Sequence, residues 1–182
     1  MLESIKGKIL KKMEGRITVD VNGFGLMVNT PLKNDSFNPG DEIFLHTYLS
    51  ITKNGVELYG FKEHEGRELF KTIIKVPNVG PKTALSIISG LGFPGIKKAL
   101  SNNDPEPISR VKGIGSKTAK RIILELKDSL QLTIKKKGDE ARKALMKLGF
   151  LSEEANRCIE RVLKEKEDLS SNEIVERVLK GT

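Results

Sequence analysis

The chain has 182 residues, enough for one ordinary domain or two to three small ones, and with no Trp and 5% aromatics its cores are expected to be small. No apolar run approaches the roughly 20 residues that span a bilayer. The opening MLESIKGKIL lacks the apolar core and cleavage site of a secretory signal, and the single cysteine, Cys158, excludes an intramolecular disulfide or a Cys-rich zinc site, so an intracellular protein is expected. The net charge of +8 permits an anionic partner. Its excess sits in the middle of the chain. Residues 63–130 carry twelve Lys and Arg against seven Asp and Glu, whereas residues 1–62 carry eight against seven and residues 131–182 twelve against ten.

Residues 1–62 read as strands. RITVDVNGFGLMVNT alternates apolar and polar residues on both sides of Asn22-Gly23, a strong turn dipeptide. EIFLHTYLSIT and VELYGF follow, separated by KNG, and KNDSFNPGD is a loop by composition. About five short strands suit a small closed barrel such as an OB-fold, or a small sandwich. From about Glu63 the period changes, and EGRELFKTIIKV places Leu69, Phe70, Ile73 and Ile74 on one helical face. Helical stretches then alternate with Gly and Pro breaks to about Leu130. QLTIKKKG, residues 131–138, reads as a linker, because its adjacent lysines have no evident packing role. Three short helices are expected over residues 139–182. The first ends near Gly149, the second is capped by Ser152 and the third by Ser171. Cys158 is expected to be a small apolar core residue.

The middle segment contains a repeat. KVPNVGPKTALSII, residues 75–88, aligns with RVKGIGSKTAKRII, residues 110–123, at an offset of 35 residues. Lys82 and Lys117 fall in the first turn of a helix, where a cation faces the positive end of the helix dipole and needs a reason. The turn supplies one. Gly80 and Gly115 sit where each helix begins and allow another molecule close to the backbone, and Pro81 takes the first helical position, which proline favours. The unpaired N–H groups of a first turn form an anion site. An anion there offsets the dipole against Lys82 and Lys117, and Thr83 and Thr118 add hydroxyls. Val79 and Ile114 anchor the bend between the flanking helices. This chemistry recognises phosphate without reading bases.

A pure packing corner explains the glycines but not Lys and Thr twice. A nucleotide-binding loop fails because Ser116 separates Gly115 from Lys117 and the preceding segment reads as helix. Two copies are too few for a solenoid.

The pattern G-[IV]-G-x-K-[TA] resembles the helix–hairpin–helix motif of DNA-repair proteins. The whole layout, with IKGKI opening the barrel, ELYGF closing it, ELFKTIIKVPNVGPKTAL, VKGIGSKTAKRIILELKD and a small helical tail, resembles the RuvA family, Holliday-junction-binding subunits of the bacterial branch-migration complex. The resemblance implies an α+β multidomain chain: an OB-fold barrel over 1–62, tandem helix–hairpin–helix motifs over 63–130, a linker over 131–138, and a three-helix domain over 139–182. It implies no cofactor and no metal. The implied partners are four-way junction DNA, the hexameric ATPase RuvB, the junction resolvase RuvC, and copies of the chain itself in a homotetramer or a pair of tetramers, with no membrane. The DNA contacts carried over by motif are Asn78, Val79, Gly80, Lys82 and Thr83, and Gly113, Ile114, Gly115, Lys117 and Thr118. The apolar face for the motor is Leu145, Leu148, Phe150 and Leu179, although helix spacing alone reads these four equally as core.

The chain departs from the family in two places. Asn78 stands where glycine is common, and asparagine tolerates left-handed geometry. Lys53 and Asn54 occupy the loop where many members carry an acidic central pin, so the pin's repulsion of DNA is in doubt; Glu57, nearby in the next strand, is a poor substitute. Alternatively the loop is a tight hairpin whose charge matters little.

Two other readings remain open from residues alone. A helix–hairpin–helix glycosylase or nuclease would use Asp104, whose setting in SNNDPEP reads as a loop or helix cap; His46 and His64 stand alone in the sequence. A generic adaptor would leave DNA incidental.

Overall fold

The structure, a computed structural model, describes residues 2–31, 37–53, 55–165 and 169–181. By contacts it divides into two units, Met1–Leu126 and Lys127–Thr182.

In the first unit, strands β1 (Ser4–Met13), β2 (Arg16–Val21), β3 (Phe24–Asn29), β4 (Glu42–Thr52) and β5 (Gly55–Phe61) close into a barrel in the order β1-β2-β3-β5-β4. The β2–β3 turn has Asn22 at φ 52° and Gly23 at φ 89°, the two positive angles that match the twist of the flanking strands. Closure depends on one parallel pairing, Val28 with Leu58 and Asn29 with Tyr59, which joins β3 to β5. That pairing decides for a barrel over a sandwich. Alternation buries Ile5, Ile9, Ile17, Val19, Val28, Ile43, Leu45 and Leu58 in the barrel core. A register shift between Ile9 and Lys11 turns Leu10 out to solvent.

Helices α1 (His64–Ile73), α2 (Pro81–Ser101) and the short α3 (Glu106–Ser109) follow, with the first part of α4 (Ser116–Lys147). Gly92, at φ 62° and ψ 172°, divides α2 into two helical pieces. Their core is not separate from β5. Phe70 of α1 packs its ring 5.0 Å from Phe61, 5.1 Å from Tyr59 and 5.4 Å from Tyr48, and Tyr59 and Phe61 join Ile73, Ile87, Ile108 and Ile122 in one cluster. The change of period at Glu63 is therefore a change of element, while packing continues across it. Arg67, nearly buried, fastens α1 to the start of β1 by hydrogen-bonding the Glu3 carbonyl at 3.2 Å and pairing with the Glu3 carboxylate.

In the second unit, the end of α4 packs with α5 (Ser152–Glu165) and α6 (Ser171–Lys180) around Ala141, Leu145, Ala155, Ile159, Val162, Leu169, Ile174 and Val178. Cys158 lies against this cluster, half-buried. Residues 131–138, read as a linker, are helical: they continue α4, and Leu, Gln and Lys are good helix formers. DEARKALMK is accordingly the end of α4, not a separate helix. The caps also move by one residue. Ser152 is already the first helical residue of α5, and Ser170, not Ser171, caps α6, in a reciprocal pair with Glu173.

Candidate nucleic-acid interface

The repeated segments fold into the same turn. Hairpin one, residues 76–82, joins α1 to α2; hairpin two, residues 111–117, joins α3 to α4. The Val79 N–H donates to the Val76 carbonyl at 3.0 Å, and the Ile114 N–H donates to the Val111 carbonyl at 3.1 Å. Asn78 at φ 68° and Gly113 at φ 87° occupy equivalent left-handed positions. Asparagine is among the side chains that tolerate this region, so hairpin one keeps its geometry without a glycine. Val79 and Ile114 are both buried and tie the bends into one core, so only their backbone can meet a ligand.

Each turn then delivers a helix start. The first intrahelical bonds, Ala84 N–H to Gly80 and Ala119 N–H to Gly115, are both 3.0 Å. N–H groups before Ala84 and Ala119 lie in the first turn, where no preceding carbonyl can accept them. A side chain built on Gly80 or Gly115 would meet nothing within 4 Å, so both backbones face open space. Lys82 and Lys117 are exposed and Thr83 and Thr118 half-buried beside these openings. An anion seated there would gain backbone donors, a hydroxyl and an ammonium together. Hairpin two has one more donor, because Ser116 has an N–H where Pro81 has none.

The surroundings of the two lysines differ. Lys82 Nζ lies 3.0 Å from Glu57 Oε1, and the Tyr59 hydroxyl donates to Glu57 Oε2 at 2.8 Å. Hydrogen bonds from Lys82 and then Tyr59 hold the Glu57 carboxyl below its usual range, while burial, followed by the bond to Glu57, pushes the Tyr59 hydroxyl up. Lys117 meets no carboxylate among the described residues. Sequence reading weighed Glu57 only against the pin. Its position as the third residue of β5, pointing with Tyr59 one turn of the strand away, is set by barrel closure and has no local signal.

Other sequence candidates are placed as follows. Lys53 is exposed at the β4–β5 turn, whose ends pair Thr52 with Gly55; Asn54 lies outside the described residues. Asp104 accepts from the Glu106 N–H at 2.9 Å, in the loop just before the Pro105 N-cap of α3. His46 and His64, apart in sequence, stack edge to face at 5.4 Å. Among the motor-face candidates, Leu145 is 0% exposed and belongs to the core, because it fills the space between α4, α5 and α6; it cannot form a docking surface. Phe150 is half-buried against the same core, whereas Leu148 and Leu179 are exposed. Met146 and Leu151 are exposed apolar residues of the same unit. Among the described residues no helix is long and apolar enough to cross a membrane.

Comparison with known proteins agrees with this layout. Residues 1–60 match the family model of the RuvA N terminal domain, residues 70–128 that of the SAM-like helix-hairpin-helix tandem, and residues 136–181 that of the RuvA C-terminal domain. The Holliday junction branch migration complex subunit RuvA of Cellvibrio japonicus is 34% identical over 201 residues, covering 100% of this chain and 98% of that protein. The proteins of that description from Fervidobacterium nodosum (35% identical, 99% of this chain and 97% of that one) and Stutzerimonas stutzeri (32%, 100% and 99%) are similar over equal extents. The chain belongs to the RuvA family.

Proposed function

We propose that this chain is the junction-binding subunit of a Holliday-junction branch-migration complex, without hydrolytic chemistry of its own. The observation that carries the reading is the twofold occurrence of one turn: bends of matching hydrogen bonds, each opening a helix start toward free space beside Lys and Thr. A repair-enzyme reading finds no support, since the Asp104 carboxylate is engaged by the Glu106 N–H.

Each hairpin takes one stretch of DNA backbone, hairpin one through Asn78, Val79, Gly80, Lys82 and Thr83 and hairpin two through Gly113, Ile114, Gly115, Lys117 and Thr118. Val79 and Ile114 contribute by holding the bend, since their N–H groups already donate to the Val76 and Val111 carbonyls and their side chains are buried. Binding is independent of sequence and steeply dependent on salt, because each neutralised phosphate releases counterions. Selectivity for four arms arises from assembly: a homotetramer, or a pair of tetramers, engages every clamp only on a four-way junction. At the centre of such an assembly Lys53 would attract phosphate where an acidic pin would repel it. The helical unit recruits the RuvB ATPase through its exposed apolar residues Leu148 and Leu179 with Phe150, joined by Met146 and Leu151. Hexameric RuvB supplies the ATP-driven movement of DNA, RuvC acts on the same junction, and the setting is the cytoplasm.

Light scattering of the protein bound to a synthetic four-way junction tests the reading. Four or eight chains per junction are expected; one or two chains per junction would overturn the symmetric scaffold.

A further inference from the structure

We infer that Glu57 is a built-in competitor for phosphate at hairpin one: it occupies Lys82 in the unbound protein, and the hairpin takes up DNA by exchanging this carboxylate for a backbone phosphate. The inference rests on the reading of Lys82 as a phosphate ligand and adds a second, opposing ligand to it.

Four observations support the exchange. The carboxylate is held from behind rather than swinging freely, because one oxygen accepts from Tyr59, a fully buried residue of the same strand, at 2.8 Å. Its other oxygen is thereby presented to Lys82 at 3.0 Å, as a phosphate oxygen would be. The Lys82 side chain is 76% exposed and that of Glu57 39%, so the pair lies at the surface and can part without disturbing the core. An ion pair this exposed contributes little net stability, so a phosphate reinforced by backbone N–H groups can displace it. Finally, the equivalent Lys117 has no such partner among the described residues. Glu57 remains charged near neutrality, since Lys82 and Tyr59 both favour its ionised form. Once displaced, it stands close to the incoming phosphate and opposes it by like charge. Hairpin one is thus tuned to hold DNA less firmly than hairpin two.

The test compares four full-length proteins, wild type, Glu57→Gln, Lys82→Ala and the double variant, in titrations of one labelled four-way junction at fixed salt. Glu57→Gln keeps the size of the side chain and an acceptor for Tyr59 while removing the charge. It is expected to tighten binding by about two- to five-fold for each hairpin engaged, an effect that compounds across an assembly. Loss of structure cannot produce tighter binding, so a purely structural role for Glu57 predicts the opposite sign. Lys82→Ala is expected to weaken binding, and Glu57→Gln to tighten it less in that background than in the wild type, because only the like-charge repulsion then remains. If Lys82→Ala weakens binding but Glu57→Gln leaves it unchanged or weaker, the exchange is wrong and the phosphate reading stands. Equal tightening with and without Lys82 would make Glu57 a general surface charge and also overturn the exchange. If Lys82→Ala has no effect, the phosphate reading of hairpin one fails and the inference falls with it.

Discussion

Hairpins one and two present the same backbone in different company. Their turn bonds agree to 0.1 Å, and both place a positive φ two residues before the helix-start glycine. Around hairpin two the chain sets Arg110, Lys112, Lys117, Lys120 and Arg121, with no acidic residue between 110 and 123. At hairpin one the corresponding stretch carries only Lys75 and Lys82, its first helical residue is a proline without an N–H, and the barrel supplies Glu57 to neutralise Lys82. The anion-binding geometry is thus a local property that can be copied along a chain, whereas its strength is set by tertiary neighbours. Two copies of a motif need not be two equal clamps.

The comparison can be tested from both ends. Replacing both lysines, Lys82→Ala with Lys117→Ala, removes the cation from each clamp and should weaken junction binding by about 30-fold while flattening its salt dependence, as read by titration at several salt concentrations. Retained affinity would detach both hairpins from DNA. Next in size is the anchoring of the bend. Ile114→Ala empties a buried site and should cost about 2–5 kcal/mol in chemical denaturation; a loss under 1 kcal/mol would mean that the bend is held by its hydrogen bonds alone. The single lysine variants then separate the two clamps. Lys117→Ala should lose about ten-fold and Lys82→Ala about three-fold, because Lys82 exchanges one anion for another. Equal losses would remove the asymmetry. The smallest effect concerns backbone geometry: Gly113→Ala should destabilise by about 1–2 kcal/mol, since an L side chain at φ 87° is strained, while Asn78→Gly should stay within about 0.5 kcal/mol.

The features legible in the sequence were those with a local cause. Asn22-Gly23 specified its turn through two positive φ angles, the change of period at Glu63 marked the first helix, and the Gly, Lys and Thr spacing located both hairpins. Features that depend on distant residues were not legible. Barrel closure rests on the parallel pairing of β3 with β5, whose partners are 30 residues apart. Leu145 and Leu148 share the apolar spacing of one helix, but only the packing of α5 and α6 buries the first and leaves the second exposed. The linker reading of 131–138 rested on the lysines having no evident packing role, yet helix formation there needs only propensity. Glu57 met Lys82 only after the barrel had brought β5 beside α2.

The most direct measurement is a competition titration of a labelled four-way junction against excess unlabelled linear duplex of equal length, at two salt concentrations. Junction binding that survives the duplex, and weakens steeply with salt, is the predicted result. If the duplex competes on equal terms, the hairpins still bind phosphate, but the chain does not recognise the junction.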